Sequence, residues 1–167
     1  MAVTGRGFPE RHKSPTLPGA MTTDTDPVSA YKNLPLEDRL ALALSASLTD
    51  TERHCILMRE QWMQVRCYFA RRADLTPQEI AVLLSDQDHV IRLCIAKRPD
   101  LAPEQVWQCV RDRDPNVRYF IARNSLLETK QRALLLADED PLVRRAAAKG
   151  PRPVRIESRP GQAALVR

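Results

Sequence analysis

The sequence predicts an all-α fold, a short right-handed α-solenoid of helical hairpins that repeat every 26 residues. Two observations support this fold class: an internal repeat and a helix-favouring composition. Aromatic residues make up only 5% of the chain and there are only five glycines, whereas leucine, alanine, arginine, glutamine and glutamate are abundant. These side chains lose little rotamer freedom in a helix, so the composition favours helices over a sheet.

A dipeptide of a β-branched residue followed by arginine marks the repeat. Its four copies are Val65-Arg66, Ile91-Arg92, Val117-Arg118 and Val143-Arg144, each 26 residues after the last. The same step is kept by an alanine column, Ala70, Ala96, Ala122 and Ala148, and by an aspartate column, Asp86, Asp112 and Asp138. A fixed period of this size indicates supersecondary units that bury their apolar faces by stacking on their neighbours.

Each unit is predicted to contain two short helices. Val65 and Phe69 share one side of the first helix, and the small Ala70 suits the close approach of a neighbouring helix. Thr76 followed by Pro77 predicts the start of the second helix, because threonine can cap it and proline at the first helical position loses no needed hydrogen bond. The buried stripe of this second helix consists of Ile80, Leu83 and Leu84.

The repeat pattern sets the predicted domain boundaries. The solenoid covers residues 35–150, with a degenerate N-terminal cap at 35–64, repeats at 65–90, 91–116 and 117–142, and a partial repeat at 143–150. Residues 1–34 are polar and irregular, so they are predicted to form a disordered tail. Because Gly150 suits a helix end and prolines follow it, residues 151–167 are predicted to be a flexible basic tail.

The positive charge lies in these two tails. Of the formal net charge of +5, residues 1–20 contribute +2 and residues 151–167 contribute +3. Residues 21–150 contain 19 basic and 19 acidic side chains, so the predicted folded part is neutral. The high isoelectric point therefore does not identify the binding face.

Composition also excludes several classes of protein. No stretch approaches the roughly 18 apolar residues of a membrane span, and the N-terminus lacks the apolar core of a secretory signal, so a soluble cytoplasmic protein without a membrane partner is expected. The cysteines form no C-x-x-C pair and are expected to be reduced thiols rather than zinc ligands or disulfides. They are Cys55, Cys67, Cys94 and Cys109.

The repeat resembles a known family of repeats. The turns Asp112-Arg113-Asp114-Pro115 and Asp138-Glu139-Asp140-Pro141, followed by the Val-Arg dipeptide and the alanine column, resemble the leucine-rich-variant repeat and, in their Asp-to-Arg spacing, the HEAT family. The resemblance covers residues 65–150 and implies a scaffold, because such repeats mostly serve as scaffolds. Some similar proteins hold an iron–sulfur cluster in an N-terminal module. No cysteine precedes Cys55, so no cofactor is expected.

The recurring aspartates and arginines are interpreted as structural. A catalytic site is normally made once, whereas these residues occur in every repeat, and the pairing resembles the hydrogen-bond ladder of HEAT-like solenoids. Each arginine is expected to pair with the aspartate six residues before it, so Arg118 should pair with Asp112. Charge-assisted hydrogen bonds of this kind contribute roughly 1.5–3 kcal/mol each.

The candidate partner-binding site is a row on the first helices, opposite their buried side. Its first positions are Cys67, Leu93, Tyr119 and Arg145, and one turn later come Arg71, Lys97, Arg123 and Lys149. The second set is basic throughout and is expected to lie exposed at intervals of roughly 8–10 Å, the separation of packed helices. Such a row suits an acidic strip, although a solvated face without a partner is the alternative interpretation.

Three functions are compatible with these features. A non-catalytic scaffold that binds a protein partner is the first, because a solenoid offers an extended surface. Nucleic-acid binding through the basic row and tails is the second. An enzyme is the third and is disfavoured, since no nucleophile–base pair and no metal-ligand spacing is present.

Overall fold

The computed structural model describes residues 26–167, which contain ten helices and one two-stranded sheet. The predicted all-α fold class is confirmed. The helices are α1 (Pro27–Lys32), α2 (Leu36–Leu44), α3 (Asp50–Arg59), α4 (Met63–Ala70), α5 (Pro77–Leu84), α6 (His89–Ala96), α7 (Pro103–Val110), α8 (Pro115–Ala122), α9 (Thr129–Leu136) and α10 (Pro141–Lys149). The strands are β1 (Ile156–Glu157) and β2 (Leu165–Val166).

The helices stack in two rows. Helices α2, α4, α6, α8 and α10 pack against one another in that order and form the first row. Helices α1, α3, α5, α7 and α9 form the second row in the same way. The 26-residue period therefore corresponds to the hairpins α4–α5, α6–α7 and α8–α9, and the helical core lies between the rows.

The helix starts follow from local sequence. Thr49 and Thr76 cap α3 and α5 with full capping boxes, because a glutamate three residues later bonds back to the threonine backbone. Asp88, Asp114 and Asp140 cap α6, α8 and α10, and the carboxylate of each accepts a hydrogen bond from the backbone N–H two residues on. These aspartates form a second column, two residues after Asp86, Asp112 and Asp138, and define where α6, α8 and α10 begin.

The repeating apolar columns form the core. The β-branched column, Val65, Ile91, Val117 and Val143, is fully buried. In the alanine column, Ala70, Ala96 and Ala122 are fully buried as well. A methyl side chain there lets neighbouring first-row helices approach closely, as predicted from the repeat.

An arginine ladder links successive first-row helices. Arg92 donates from Nε and Nη2 to the carboxylate of Asp112 at 2.7 and 2.9 Å, and Arg118 donates to Asp138 at 2.8 and 3.0 Å. The predicted pairing of Arg118 with the Asp112 carboxylate is therefore wrong. Instead, Arg118 Nη1 donates to the backbone carbonyl of Asp112 at 2.8 Å, because that carboxylate already serves Arg92. Each arginine thus bridges the turns that precede two consecutive first-row helices.

These contacts shift the pKa values of both partners. The hydrogen bonds to Asp112 raise the pKa of Arg92. Burial alone would raise the pKa of Asp112, but the hydrogen bonds from Arg92 and from the Asp114 backbone outweigh it and hold that pKa below its usual value. Both members are therefore charged at neutral pH, and the ladder consists of ion pairs.

A second ladder lies at the other end of the first-row helices. Arg98 donates to the carbonyl of Arg72, and Asn124 Nδ2 donates to the carbonyls of Ala96 and Arg98 at 2.9 and 2.8 Å. Arg72 reaches back to the carbonyl of Ala43 at 3.1 Å. Both arginines are completely buried. They satisfy carbonyls at helix C-termini that would otherwise lack a donor.

The N-terminal boundary differs from the prediction. Residues 1–25 of the predicted disordered tail lie outside the described residues. The rest of that tail contains α1, whose Tyr31 is buried and donates a hydrogen bond to Glu60. Asp26 caps this helix and proline occupies its first turn, so a short helix begins where irregular chain was expected.

The C-terminal boundary also differs from the prediction, since residues 151–167 are docked rather than flexible. We call residues 151–167 the C-terminal strap. Ala163 donates its N–H to the Leu44 carbonyl at 2.8 Å, and Val166 donates to the Arg71 carbonyl at 2.7 Å. Strand β2 also pairs with β1 in antiparallel register. The strap therefore lies across the C-terminal ends of first-row helices from α8 back to α2.

Apolar burial explains why the strap docks. Ala163, Leu165 and Val166 are buried, and Gly161 adopts a left-handed backbone (φ 73°) that turns the chain towards them. The high proline and arginine content before this point indicated mobile chain. The short apolar run at the end nevertheless docks, because burying it against the helix ends of the first row is favourable.

Candidate partner-binding face

The predicted basic row occupies equivalent places in the fold. Arg71, Lys97 and Arg123 are the C-cap residues of α4, α6 and α8, and Lys149 is the last residue of α10. Lys149 is exposed, as expected. The other three are only half-exposed, because the strap lies along their helix ends. The predicted row is therefore not fully open, because the strap covers part of it.

Arg71 takes part in holding the strap. Its Nε donates to the Val166 carbonyl at 3.1 Å, while its own carbonyl accepts the Val166 N–H at 2.7 Å. This arginine thus has a structural role in addition to its place in the row.

A basic cleft opens between the row and the strap. It has a volume of about 200 Å³. Arg152 fixes one wall by donating its backbone N–H to the Arg123 carbonyl at 2.7 Å. The lining residues include no aspartate or glutamate, although Arg167 pairs with Glu157 outside the lining at 2.9 Å. They are Lys97, Phe120, Arg123, Asn124, Arg152, Pro153, Val154 and Arg167. We refer to this group as the basic cleft.

Lys97 of the basic cleft packs against an aromatic ring. Its ammonium lies 4.3 Å from the centroid of the Phe120 ring, a cation–π distance. Burial lowers the pKa of Lys97, and the positive charges of Arg71 and Arg152 lower it further, although the thiol of Cys94 acts in the opposite direction. A bound anion would offset this repulsion among cations.

The first positions of the predicted row do not form one continuous surface. Leu93 is half-buried and packs against the core, whereas Tyr119 is 37% exposed and meets the Phe120 ring edge-on with a centroid separation of 5.3 Å. Arg145 is exposed on α10. Of these residues, Tyr119 is tied to the basic cleft through its contact with Phe120.

Cys67, the first member of that row, has an unusual environment. It is half-exposed on α4, and the interaction with the Cys94 thiol lowers its pKa to about 7, although burial and the charge of Asp88 would raise that pKa. The positive charges of Arg71 and Arg66 also lower it. Burial raises the pKa values of Cys55 and Cys109 instead.

We expect Cys67 to be the first cysteine alkylated by iodoacetamide at pH 7. A thiol with a pKa near 7 is about half thiolate at that pH, against a few per cent for an ordinary thiol, so a rate advantage of roughly tenfold follows. Peptide mass spectrometry after timed quenching measures the four rates. Alkylation of Cys55 or Cys109 at the same rate as Cys67 in the folded chain would contradict this environment.

The described residues contain neither a candidate metal-binding cluster nor a helix able to span a membrane. Across residues 26–167, no cluster of three histidine, cysteine, aspartate or glutamate side chains is placed to hold a metal ion. None of the helices in this range combines the length and apolarity needed to cross a bilayer.

Sequence reasoning missed two cations of the basic cleft, Arg152 and Arg167. Both lie in the strap, which was predicted to be mobile. The available signal was the apolar run that begins at Ala163, because a disordered tail seldom ends in consecutive apolar residues. The ladder of Arg72, Arg98 and Asn124 was also missed, although Arg72 and Arg98 keep the 26-residue step.

Comparison with known proteins adds no relative to this description: no protein-family model matches the chain, and no significant match was found among curated proteins or solved structures.

Proposed function

We propose that this chain is a non-catalytic scaffold whose basic cleft binds an acidic segment of a partner protein. One observation supports the proposal above the others: Lys97, Arg123 and Arg152 converge on one cleft whose lining includes no aspartate or glutamate. Elsewhere in the described fold, the buried arginines are matched by acidic or carbonyl acceptors. An unmatched group of cations is typical of a surface that receives an anion.

The lining favours a protein segment over a nucleic-acid backbone. Phe120, Pro153 and Val154 supply apolar surface directly beside the cations. An acidic peptide has methylene groups next to each carboxylate, so it can contact both the cationic and the apolar residues of the lining. The resemblance to leucine-rich-variant and HEAT-like repeats favours the same scaffold role.

Exchanging Lys97 and Arg123 for glutamine is the direct test. We expect the double variant to bind a labelled polyglutamate peptide about tenfold more weakly than the unchanged chain, because two charge-assisted contacts are lost. Fluorescence anisotropy at low salt measures the affinity. The thermal melt should change little, since neither side chain forms an ion pair within residues 26–167.

The matched control exchanges Arg111 and Arg113 for glutamine. Both are exposed, and both lie beyond the lining of the basic cleft. The two double variants carry the same net charge, so any difference between them reports position rather than total charge. Equal weakening by both would rule out the basic cleft as the binding site.

Nucleic-acid binding is the second candidate, supported by the further exposed arginines of the strap, Arg155 and Arg159. Salt dependence distinguishes the two functions. If a DNA duplex used Lys97, Arg123 and Arg152 of the basic cleft, the slope of log affinity against log salt would be about −2.7, at roughly −0.9 per phosphate. A shallower slope with duplex DNA, together with tighter binding of the acidic peptide, would favour the protein partner.

A further inference from the structure

The last hairpin exposes positions that the two preceding hairpins bury. Leu84 and Val110 are 2% and 5% exposed, but the corresponding Leu136 is 47% exposed. In the alanine column, Ala122 is fully buried and Ala148 is exposed. In the interior of the solenoid the next hairpin covers these positions. At the end of the solenoid they retain the apolar character of an interior repeat.

Arg144 extends the arginine ladder to this end. Its Nη1 donates to the carbonyls of Asp138 and Glu139 at 2.6 and 2.8 Å. Arg118 makes the equivalent bond to the Asp112 carbonyl at 2.8 Å. Because these backbone contacts are shared, the Arg144 guanidinium is held at the same place on its helix as the guanidinium of Arg118.

The carboxylate that completes each interior rung has no counterpart for Arg144. The acceptor lies 20 residues after the arginine in the rungs of Arg92 and Arg118. Twenty residues after Arg144 the chain has Ala164, which lies in the C-terminal strap. Within residues 26–167, Arg144 makes no ion pair, and its Nε and Nη2 atoms have no acceptor.

The strap does not cover this end of the solenoid. After Gly150 the chain turns towards Arg123 and continues along the first row to Leu44. We call Leu136, Arg144 and Ala148 the terminal face. A terminal repeat that ends a solenoid in water normally has a polar outer side, whereas this one also exposes the apolar Leu136 and Ala148.

We propose that the terminal face binds a helical hairpin of a partner protein that places a carboxylate opposite Arg144. The apolar Leu136 and the small Ala148 suit a closely packed helix, as they do in the interior columns. The oriented guanidinium suits a bidentate carboxylate in the turn before that helix. Lys149 is exposed on the same helix, and its charge favours an acidic partner over a second copy of this chain.

A peptide with the sequence of residues 101–124, in which Arg111 and Arg113 are replaced by glutamine so that its net side-chain charge is −1, is a suitable probe. In the intact fold this segment supplies Asp112 to Arg92, so it contains the chemistry that the terminal face lacks. We expect the labelled peptide to bind the full chain in an anisotropy titration. The variant Arg144→Gln should weaken binding about tenfold, and a peptide with Asp112→Asn should weaken it equally. Combining both changes should add nothing further, which shows that the two groups contact each other.

The adjacent Arg145→Gln provides the matched control, since it removes the same charge from the same helix without touching the ladder position. Its affinity for the peptide should fall less than twofold, and the melting temperature of Arg144→Gln should equal that of the unchanged chain. Absence of peptide binding, or equal losses for Arg144→Gln and Arg145→Gln, would overturn the proposal. Self-association of the chain through the terminal face, detected by sedimentation and abolished by Arg144→Gln, would also overturn it.

Discussion

Replacing Arg118 with alanine is expected to lower the free energy of unfolding by about 3 kcal/mol. The guanidinium donates two hydrogen bonds to Asp138 at 2.8 and 3.0 Å, and the Asp138 side chain is only 8% exposed. Removing one partner leaves the other charge desolvated, and this penalty exceeds the net contribution of the pair itself. Urea denaturation followed by circular dichroism measures the change.

Arg144→Ala is the matched control for this experiment. Arg144 occupies the same column and keeps the same type of contact to backbone carbonyls, but it is exposed and has no carboxylate partner among the described residues. Its replacement should change the free energy of unfolding by no more than about 0.5 kcal/mol. Similar losses for Arg118→Ala and Arg144→Ala would show that the carboxylate contact is not the stabilising element.

Ending the chain at Gly150 is expected to lower the free energy of unfolding by about 2–4 kcal/mol, because Leu165 and Val166 lose their buried contacts. The strap also supplies hydrogen bonds to the ends of α2 and α4, which would then face water. A flexible tail, as the sequence predicted for residues 151–167, would contribute nothing to this free energy. Thermal and urea unfolding of the two chains provide the measurement.

Point variants distinguish the effect of losing the docked contacts from the effect of shortening the chain. Leu165→Ala should cost about 2–3 kcal/mol, because Leu165 is 6% exposed in a packed site. Ile156→Ala, at 55% exposure in the paired strand, should change stability by less than about 0.5 kcal/mol. If the shortened chain and Leu165→Ala both unfold at the same denaturant concentration as the unchanged protein, the strap is not docked in solution.

The repeating part of this fold was largely predictable from sequence. The columns of Val65 and Ala70 recur at a constant step, and each local signal, such as Thr76 before Pro77, agrees with the helix that forms there. When propensity, capping and apolar pattern favour the same element, the element can be located without a structure. The basic row was predicted to lie open on the helices, whereas Arg71, Lys97 and Arg123 are half-exposed beneath the strap.

The contacts that complete the site were less predictable. The partner of Arg118 depends on how the turns before consecutive helices face one another, and sequence spacing alone suggested the wrong aspartate. The docking of Leu165 against the first row involves residues nearly a hundred positions apart, as in the contact of Arg71 with Val166. No local pattern encodes such a contact, because its energy depends on a surface made by other parts of the chain.

The strap also changes how this molecule should behave as a whole. In an ordinary solenoid each unit contacts only its neighbours, so the ends can fray while the middle persists. Here one segment joins the end of the last hairpin to Arg123, Arg71 and Leu44, and so connects units that are otherwise far apart along the stack. Because the strap is hydrogen-bonded to several helix ends, these helices cannot move apart unless the strap detaches. Unfolding should therefore be a single cooperative event.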